Sequence, residues 1–102
     1  LYTISMEGYL IVIDKITGNI IRITNIFKNF KPKIRDKIKP TGFIIGSKNI
    51  YLSTNKGRIL VIDIVSGKTK STLKIDKDKI SRPIIKDKNL YVVKDNAIIR
   101  LN

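Results

Sequence analysis

Apolar residues fall in short runs along this chain, separated by clusters of Gly, Asn, Asp, Ser and Lys. The run Ile59-Leu60-Val61-Ile62 is apolar at every position, so a strand built from it is apolar on both faces. Such a strand is stable only where both faces of its sheet are covered. The segment around it, KGRILVIDIVSGK at 56–68, has a near copy in EGYLIVIDKITGN at 7–19. Gly8/Gly57, Val12/Val61, Ile13/Ile62, Asp14/Asp63 and Gly18/Gly67 match outright. Most other pairs exchange like for like.

Three units align. They contain Leu1-Tyr2-Thr3-Ile4-Ser5, Ile50-Tyr51-Leu52-Ser53-Thr54 and Leu90-Tyr91-Val92-Val93-Lys94, so the equivalent tyrosines are 49 and 40 residues apart. The second unit reads as four short strands. Strand A covers about 42–46, B about 50–54, C 58–63 and D about 68–75. Ser47, Lys48 and Asn49 are turn residues between A and B. Connections of two to four residues between short strands predict an antiparallel meander. Strand C is apolar throughout, whereas D carries Lys68, Lys70 and Lys74, which suits an outer edge where Lys discourages stray pairing. Periods of 40–50 residues with buried inner and charged outer strands point to the blades of a β-propeller. The expectation is an all-β fold, a partial β-propeller of about two and a half four-stranded antiparallel blades. Strands B–D of one blade occupy 1–25, a connector 26–40, a full blade 41–75, and strands A–C of a third 83–102. That gives about ten strands, with strand A of the first unit and D of the third missing.

Composition agrees with β-structure. There are 22 Ile against 7 Leu, 5 Val and a single Ala, Ala97; Ile suits a pleated surface and Ala a helix. The absence of Cys excludes disulfides and thiolate metal sites, and the absence of His removes the commonest general base and metal ligand. Glu7 is the only glutamate, and no recognisable nucleophile–base pairing is present. The chain is therefore expected to be non-catalytic, and no catalytic, cofactor-binding or metal-binding residue is assigned. No apolar run reaches the ~18 residues of a membrane span. The chain begins at Leu1, and reads as an internal or C-terminal piece of a longer protein.

The net charge of +13 has two readings. One is attraction to nucleic acid or an anionic membrane surface. The other is AT-rich coding, since Ile, Lys and Asn supply 22, 16 and 8 residues. Lys outnumbers Arg 16 to 5, which disfavours bidentate recognition of bases, so no specific nucleic-acid target is expected.

The pattern Gly-x-[Ile/Leu]-x-x-Ile-Asp-x-x-[Ser/Thr]-Gly, at Gly8–Gly18 and Gly57–Gly67, resembles the repeat of quinoprotein-like (PQQ-like) β-propellers. Within that group the chain is most similar to the C-terminal part of the outer-membrane protein assembly factor BamB family. The features concerned are Asn55-Lys56-Gly57-Arg58, Ser66-Gly67-Lys68, Ser81-Arg82-Pro83 and the ending from Lys88 to Asn102. The resemblance implies a periplasmic lipoprotein scaffold, lipid-anchored at the outer membrane of a Gram-negative bacterium. Its implied partner is the periplasmic repeat region of a BamA-like protein of the β-barrel assembly machine. Two other functions stay open: a basic module that binds nucleic acid or anionic lipid, and a fragment of a quinoprotein-like dehydrogenase. The family's Trp after the Asp-x-x-x-Gly turn, which docks on the next blade, is absent, and Ile21 and Lys70 lie near its expected positions. The third unit has Ala97 in place of the turn glycine, which predicts a left-handed Asn96.

Asp14 and Asp63, with Gly8, Gly18, Gly57 and Gly67, are assigned to turns. Each carboxylate is expected to accept backbone N–H bonds across its own turn, in preference to holding a metal. Tyr2, Tyr51 and Tyr91 could stack on a ligand or pack between blades; their equivalent positions favour packing. Residues 26–40 form an irregular segment with six basic residues against one acidic. Lys31, Lys33, Arg35 and Lys37 are candidate partner-binding residues there, because binding groups often sit on loops held by a rigid scaffold. The contrary reading is a solvated connector pinned by Phe27 and Phe30. Exposed edges and apolar end faces predict self-association of a chain this short.

Overall fold

The computed structural model describes residues 1–75, 80–94 and 97–101. Among these, ten strands form three antiparallel sheets. The first sheet joins β1 (Tyr2–Ile4), β2 (Tyr9–Ile13) and β3 (Ile20–Asn25). The second is a four-stranded meander of β4 (Pro40–Ile45), β5 (Asn49–Thr54), β6 (Arg58–Asp63) and β7 (Thr69–Lys74). The third joins β8 (Ile84–Lys86), β9 (Asn89–Lys94) and β10 (Ala97–Arg100). Asn49, expected in a turn, is the first residue of β5, and Pro40, expected in the connector, opens β4. The anticipated left-handed Asn96 lies outside the described residues.

The sheets stack face to face, and β6 lies between the other two. Leu60 and Ile62 are fully buried on one face, in a cluster with Leu10 of the first sheet, Ile50 and Leu52 of β5, and Ile26, Phe27 and Ile38 of the connector. Ile59, on the opposite face of β6, is buried with Ile80 and with Val92 of the third sheet. The doubly apolar run thus faces a neighbour on each side. β7 forms the sheet's edge, and its lysines are exposed. Tyr2 packs against the first cluster and Tyr51 against the second, as blade-packing tyrosines would; among the described residues Tyr91 joins neither.

Polar contacts tie the sheets together. Arg22 on β3 donates from Nη1 to the Val65 carbonyl and from Nη2 to that of Ile64 (3.4 Å). Both carbonyls belong to the turn that ends β6, so Arg22 bridges the first sheet to the second. Among the described residues Ile21 and Lys70 make no such bridge: Ile21 is 65% exposed, and Lys70 reaches Asp63 within its own sheet at 3.9 Å. On the other side, Thr41 Oγ1 lies 2.8 Å from Ser53 Oγ and donates to the Ile80 carbonyl at 3.0 Å. This leashes the second sheet to the lead-in of the third. Ser53 is fully buried, where an unmet hydroxyl would be costly.

The repeated turns are built alike. Asp14 Oδ1 accepts the N–H groups of Ile16 (2.8 Å) and Thr17 (3.3 Å), and Asp63 Oδ2 accepts that of Ser66 (2.8 Å). Gly18 and Gly67, with φ of 77° and 74°, donate to the carbonyls of Asp14 and Asp63, each at 2.8 Å. Gly8 (φ 91°) and Gly57 (φ 70°) also repeat: their carbonyls accept the N–H of Ile26 (2.9 Å) and Ile75 (2.8 Å). Gly8 has a second reason to lack a side chain, since a Cβ there would lie 2.2 Å from the Phe27 ring.

Two outcomes follow from these turns. Gly18→Ala meets no atom within 4 Å, so only left-handed strain applies, about 1–2 kcal/mol. Gly8→Ala must also displace Phe27 from the core, and should lower the urea midpoint clearly more than Gly18→Ala. Asp63 supplies the second outcome. The Ser66 N–H above all, then the Ser66 hydroxyl, hold its carboxyl below the ordinary value; Lys70 adds to this and desolvation opposes it. A depressed folded pKa stabilises above the ordinary value of 3.8, and that stabilisation is lost as pH falls through the lowered one. Asp63→Asn should therefore be less stable than the parent chain near neutrality, with the gap closing under strong acid. A gap that persists there would assign the effect to something other than this charge.

Candidate interaction site

The segment between β3 and β4 is longer than the turns of the meander and crosses from the outer strand of the first sheet to the first strand of the second. Ile26 and Phe27 at one end and Ile38 at the other are buried in the first core cluster. Asn25 Oδ1 accepts the Phe27 N–H at 3.1 Å, and Phe30 packs edge-on against Phe27 at 5.8 Å. Between these anchors Pro32–Arg35 forms a single α-helical turn, α1. Pro32 at the first helical position suits a helix start, because its missing N–H would be unpaired there anyway. The turn continues loosely, with the Lys37 and Ile38 N–H groups reaching the Ile34 carbonyl at 3.0 and 2.9 Å. The segment expected to be irregular is thus an ordered excursion carrying a short helix.

Register places it against one end of the second sheet. Pro40 pairs with Thr54, and Arg58 with Lys74, so the start of β4, the β5–β6 turn and the end of β7 share that end. Asn55 clamps the excursion there. Its Nδ2 donates to the Lys37 carbonyl (3.0 Å), its Oδ1 accepts the Lys39 N–H (2.8 Å), and its own N–H reaches the Lys39 carbonyl (3.0 Å). Thr54 Oγ1 accepts the N–H groups of Lys56 (3.3 Å) and Arg58 (3.2 Å), which holds the facing turn in shape.

A groove of about 430 Å³ lies between the two elements. Phe30, Ile34 and Ile38 give it apolar surface. Lys33 and Lys37 contribute from the excursion, Lys56 and Arg58 from the β5–β6 turn and β6, and Lys74 from the end of β7. No carboxylate is among its described lining residues.

The four lysine and arginine residues singled out in the sequence do not share one surface. Lys33 and Lys37 line this groove. Lys31 is exposed at the helix start and lines neither cavity beside α1. Arg35 points to the opposite face of the helical turn, into a cavity of about 360 Å³ with Glu7 and Asp36. Its Nε is buried without a partner among the described residues. Sequence reading missed Lys56, Arg58 and Lys74, whose placement here depends on strand register. The nearest sequence signal was position within the unit: Lys56 and Arg58 flank the turn glycine and Lys74 lies near the end of strand D, whereas the first unit has Glu7, Tyr9 and Asn25 at the matching positions.

No known family model matches the sequence, and no curated protein does. Among solved structures the chain is similar to the crystal structure of the β-propeller domain of Cps50 (Swd1) from Myceliophteria thermophila. The TM-score is 0.73 at 16% identity, over 92% of this chain and 31% of that one. At that identity the likeness is one of fold, and the chain spans just under a third of that structure's length. The three stacked antiparallel meanders are thus blades, and the chain is an all-β, partial β-propeller.

Proposed function

We propose that this chain is a non-catalytic propeller scaffold that holds a partner protein at the rim carrying the β3–β4 excursion. The observation that carries this reading is the excursion itself. It is anchored in the core at Phe27 and Ile38, clamped by Asn55, and exposes cationic side chains between those anchors. Rigid scaffolds commonly present binding groups on such connections. The finer reading rests on the repeat motif at Gly8–Gly18 and Gly57–Gly67 and on the chain's last unit. Both support a BamB-like factor of the periplasm, lipid-anchored at the outer membrane in its full-length form, that assists insertion of β-barrel proteins. Its partner would then be the periplasmic repeat region of a BamA-like protein.

A pull-down with that periplasmic region tests the partner. Retention by the full-length protein is expected, and it should drop roughly tenfold or more when Lys31, Lys33, Arg35 and Lys37 are all changed to Gln, at a fraction of a kcal/mol to about 1 kcal/mol for each exposed ion pair lost. No retention even at low salt overturns the BamB-like reading.

The end blades bear on the chain's own association. The first sheet exposes Ile20, Ile21 and Ile23, and the third exposes Ile84, Val93 and Ile98. These are the surfaces that stacked blades cover, and the 102-residue chain is proposed to self-associate through them. Sedimentation should show a species heavier than 11.6 kDa that Ile23→Lys and Ile98→Lys shift towards monomer. A parent chain that sediments as a monomer refutes this.

A further inference from the structure

We propose that the groove between α1 and the β5–β6 turn binds an acidic peptide segment of a partner protein. One aliphatic or aromatic side chain would rest on Ile34, beside the buried Ile38, with flanking Asp and Glu carboxylates under the cationic rim. The inference deepens the scaffold reading and rests on it only for the partner being a protein.

Charge is the first reason. Arg58 and Lys74 stand directly opposite one another on neighbouring strands. Like charges in that relation destabilise a sheet. Lys33 and Lys37 are four residues apart along the helical turn, where like charges also repel. Lys56 adds a fifth cation from the intervening turn. Three separate parts of the chain thus converge with one sign, and no described lining residue offsets it. A carboxylate-bearing ligand relieves this repulsion on binding.

Pre-organisation is the second. Asn55 fixes the backbone at Lys37 and Lys39, and Thr54 fixes it at Lys56 and Arg58. Arg58 Nη1 is itself held by the Lys56 carbonyl at 3.0 Å. The groove therefore requires little ordering of its backbone when a ligand enters, which favours affinity.

The apolar surface decides the class of ligand. Ile34 is 44% exposed amid the cations, and its neighbour Ile38 is almost fully buried. An extended peptide can place a side chain there. A nucleic-acid backbone would meet the cations and leave Ile34 bare. Single-stranded nucleic acid binds through aromatic faces, and Phe30, the one aromatic in the groove, is half-buried and engaged edge-on with Phe27. Four of the five cations are Lys, compact point charges suited to a cluster of carboxylates.

The test is fluorescence anisotropy on the whole chain, with a short labelled peptide of Asp and Glu around a central Leu-Phe pair. Saturable binding that weakens with salt is expected. Lys33→Gln with Lys37→Gln, and separately Lys56→Gln with Lys74→Gln, should each weaken it roughly tenfold. Lys48→Gln with Lys86→Gln removes the same charge from the opposite ends of their sheets and should leave it unchanged. Ile34→Ser, at an exposed position that does not threaten the fold, should weaken peptide binding while sparing any binding of oligothymidylate.

Three results overturn the proposal: no binding of the peptide, equal binding when Gly-Ser replaces Leu-Phe, or tighter binding of oligothymidylate with no effect of Ile34→Ser. The last would instead make the groove a polyanion site. Peptide binding alongside a failed pull-down leaves the groove assignment standing and removes only the BamA-like partner. A successful pull-down without peptide binding does the reverse.

Discussion

Burial of β6 on both faces is the constraint from which the rest of this structure follows. Ile59 faces one neighbouring blade, and Leu60 and Ile62 face the other. A solitary sheet would leave both of those sets in water, and a single neighbour would still leave one. Full burial of such side chains is worth roughly 1.5–3 kcal/mol each, so a solitary second sheet would forgo several kcal/mol. Stacking is thus a condition of the second sheet's stability, and the strands on either side of β6 take their roles from it. β5 alternates between the two clusters through Ile50 and Leu52 on one face and Tyr51 on the other. β7, one strand further out, touches solvent and carries the lysines.

The same constraint positions the groove. Because Leu10 shares one buried cluster with Leu60 and Ile62, the path from β3 to β4 passes over the edge of that shared core. Phe27 and Ile38 are the residues that cross it, and both are drawn inward. Between them Phe30 also packs against that core, and the positions around it are free to carry charge. The result is a cationic segment whose two ends have the rigidity of the blade stack.

Much of this was legible in the sequence, and the parts that were not share a cause. The apolar run of β6, the paired turn aspartates and the turn glycines are local features, readable because each depends on neighbours within a few residues. Gly8 was legible as a turn, but its contact with Phe27 was not, since the two are 19 residues apart and meet only on folding. Arg22 was overlooked for a similar reason. Its value lies in two carbonyls of the next blade, and nothing in Ile21-Arg22-Ile23 marks it. Lys31, Lys33, Arg35 and Lys37 stood out together within a basic segment, although of these only Lys33 and Lys37 line the groove. Lys56, Arg58 and Lys74 did not stand out, because strand register alone brings them to the same end of the sheet. The helical turn α1, Pro32-Lys33-Ile34-Arg35, escaped notice because four residues are too few to show a helical period; Pro32 starts the turn that a Pro deeper in a helix would break.

The 26–40 connector, longer than any turn of the second sheet's meander, shows where this fold accepts change. Strand C has no room for insertion, since a one-residue slip would turn every buried side chain of β6 to the wrong face. A D-to-A connection has two fixed ends and no register to keep, and closing a longer loop costs little: each doubling of length adds only about 0.6 kcal/mol. The excursion offsets that cost with its own core contacts at Phe27 and Ile38 and with the Asn55 clamp. A blade stack with buried strands C and longer D-to-A connections can therefore vary what it binds at one rim without altering what holds it together. The clustering of cations at that rim, on and facing the longer connector, is the outcome this division of labour allows.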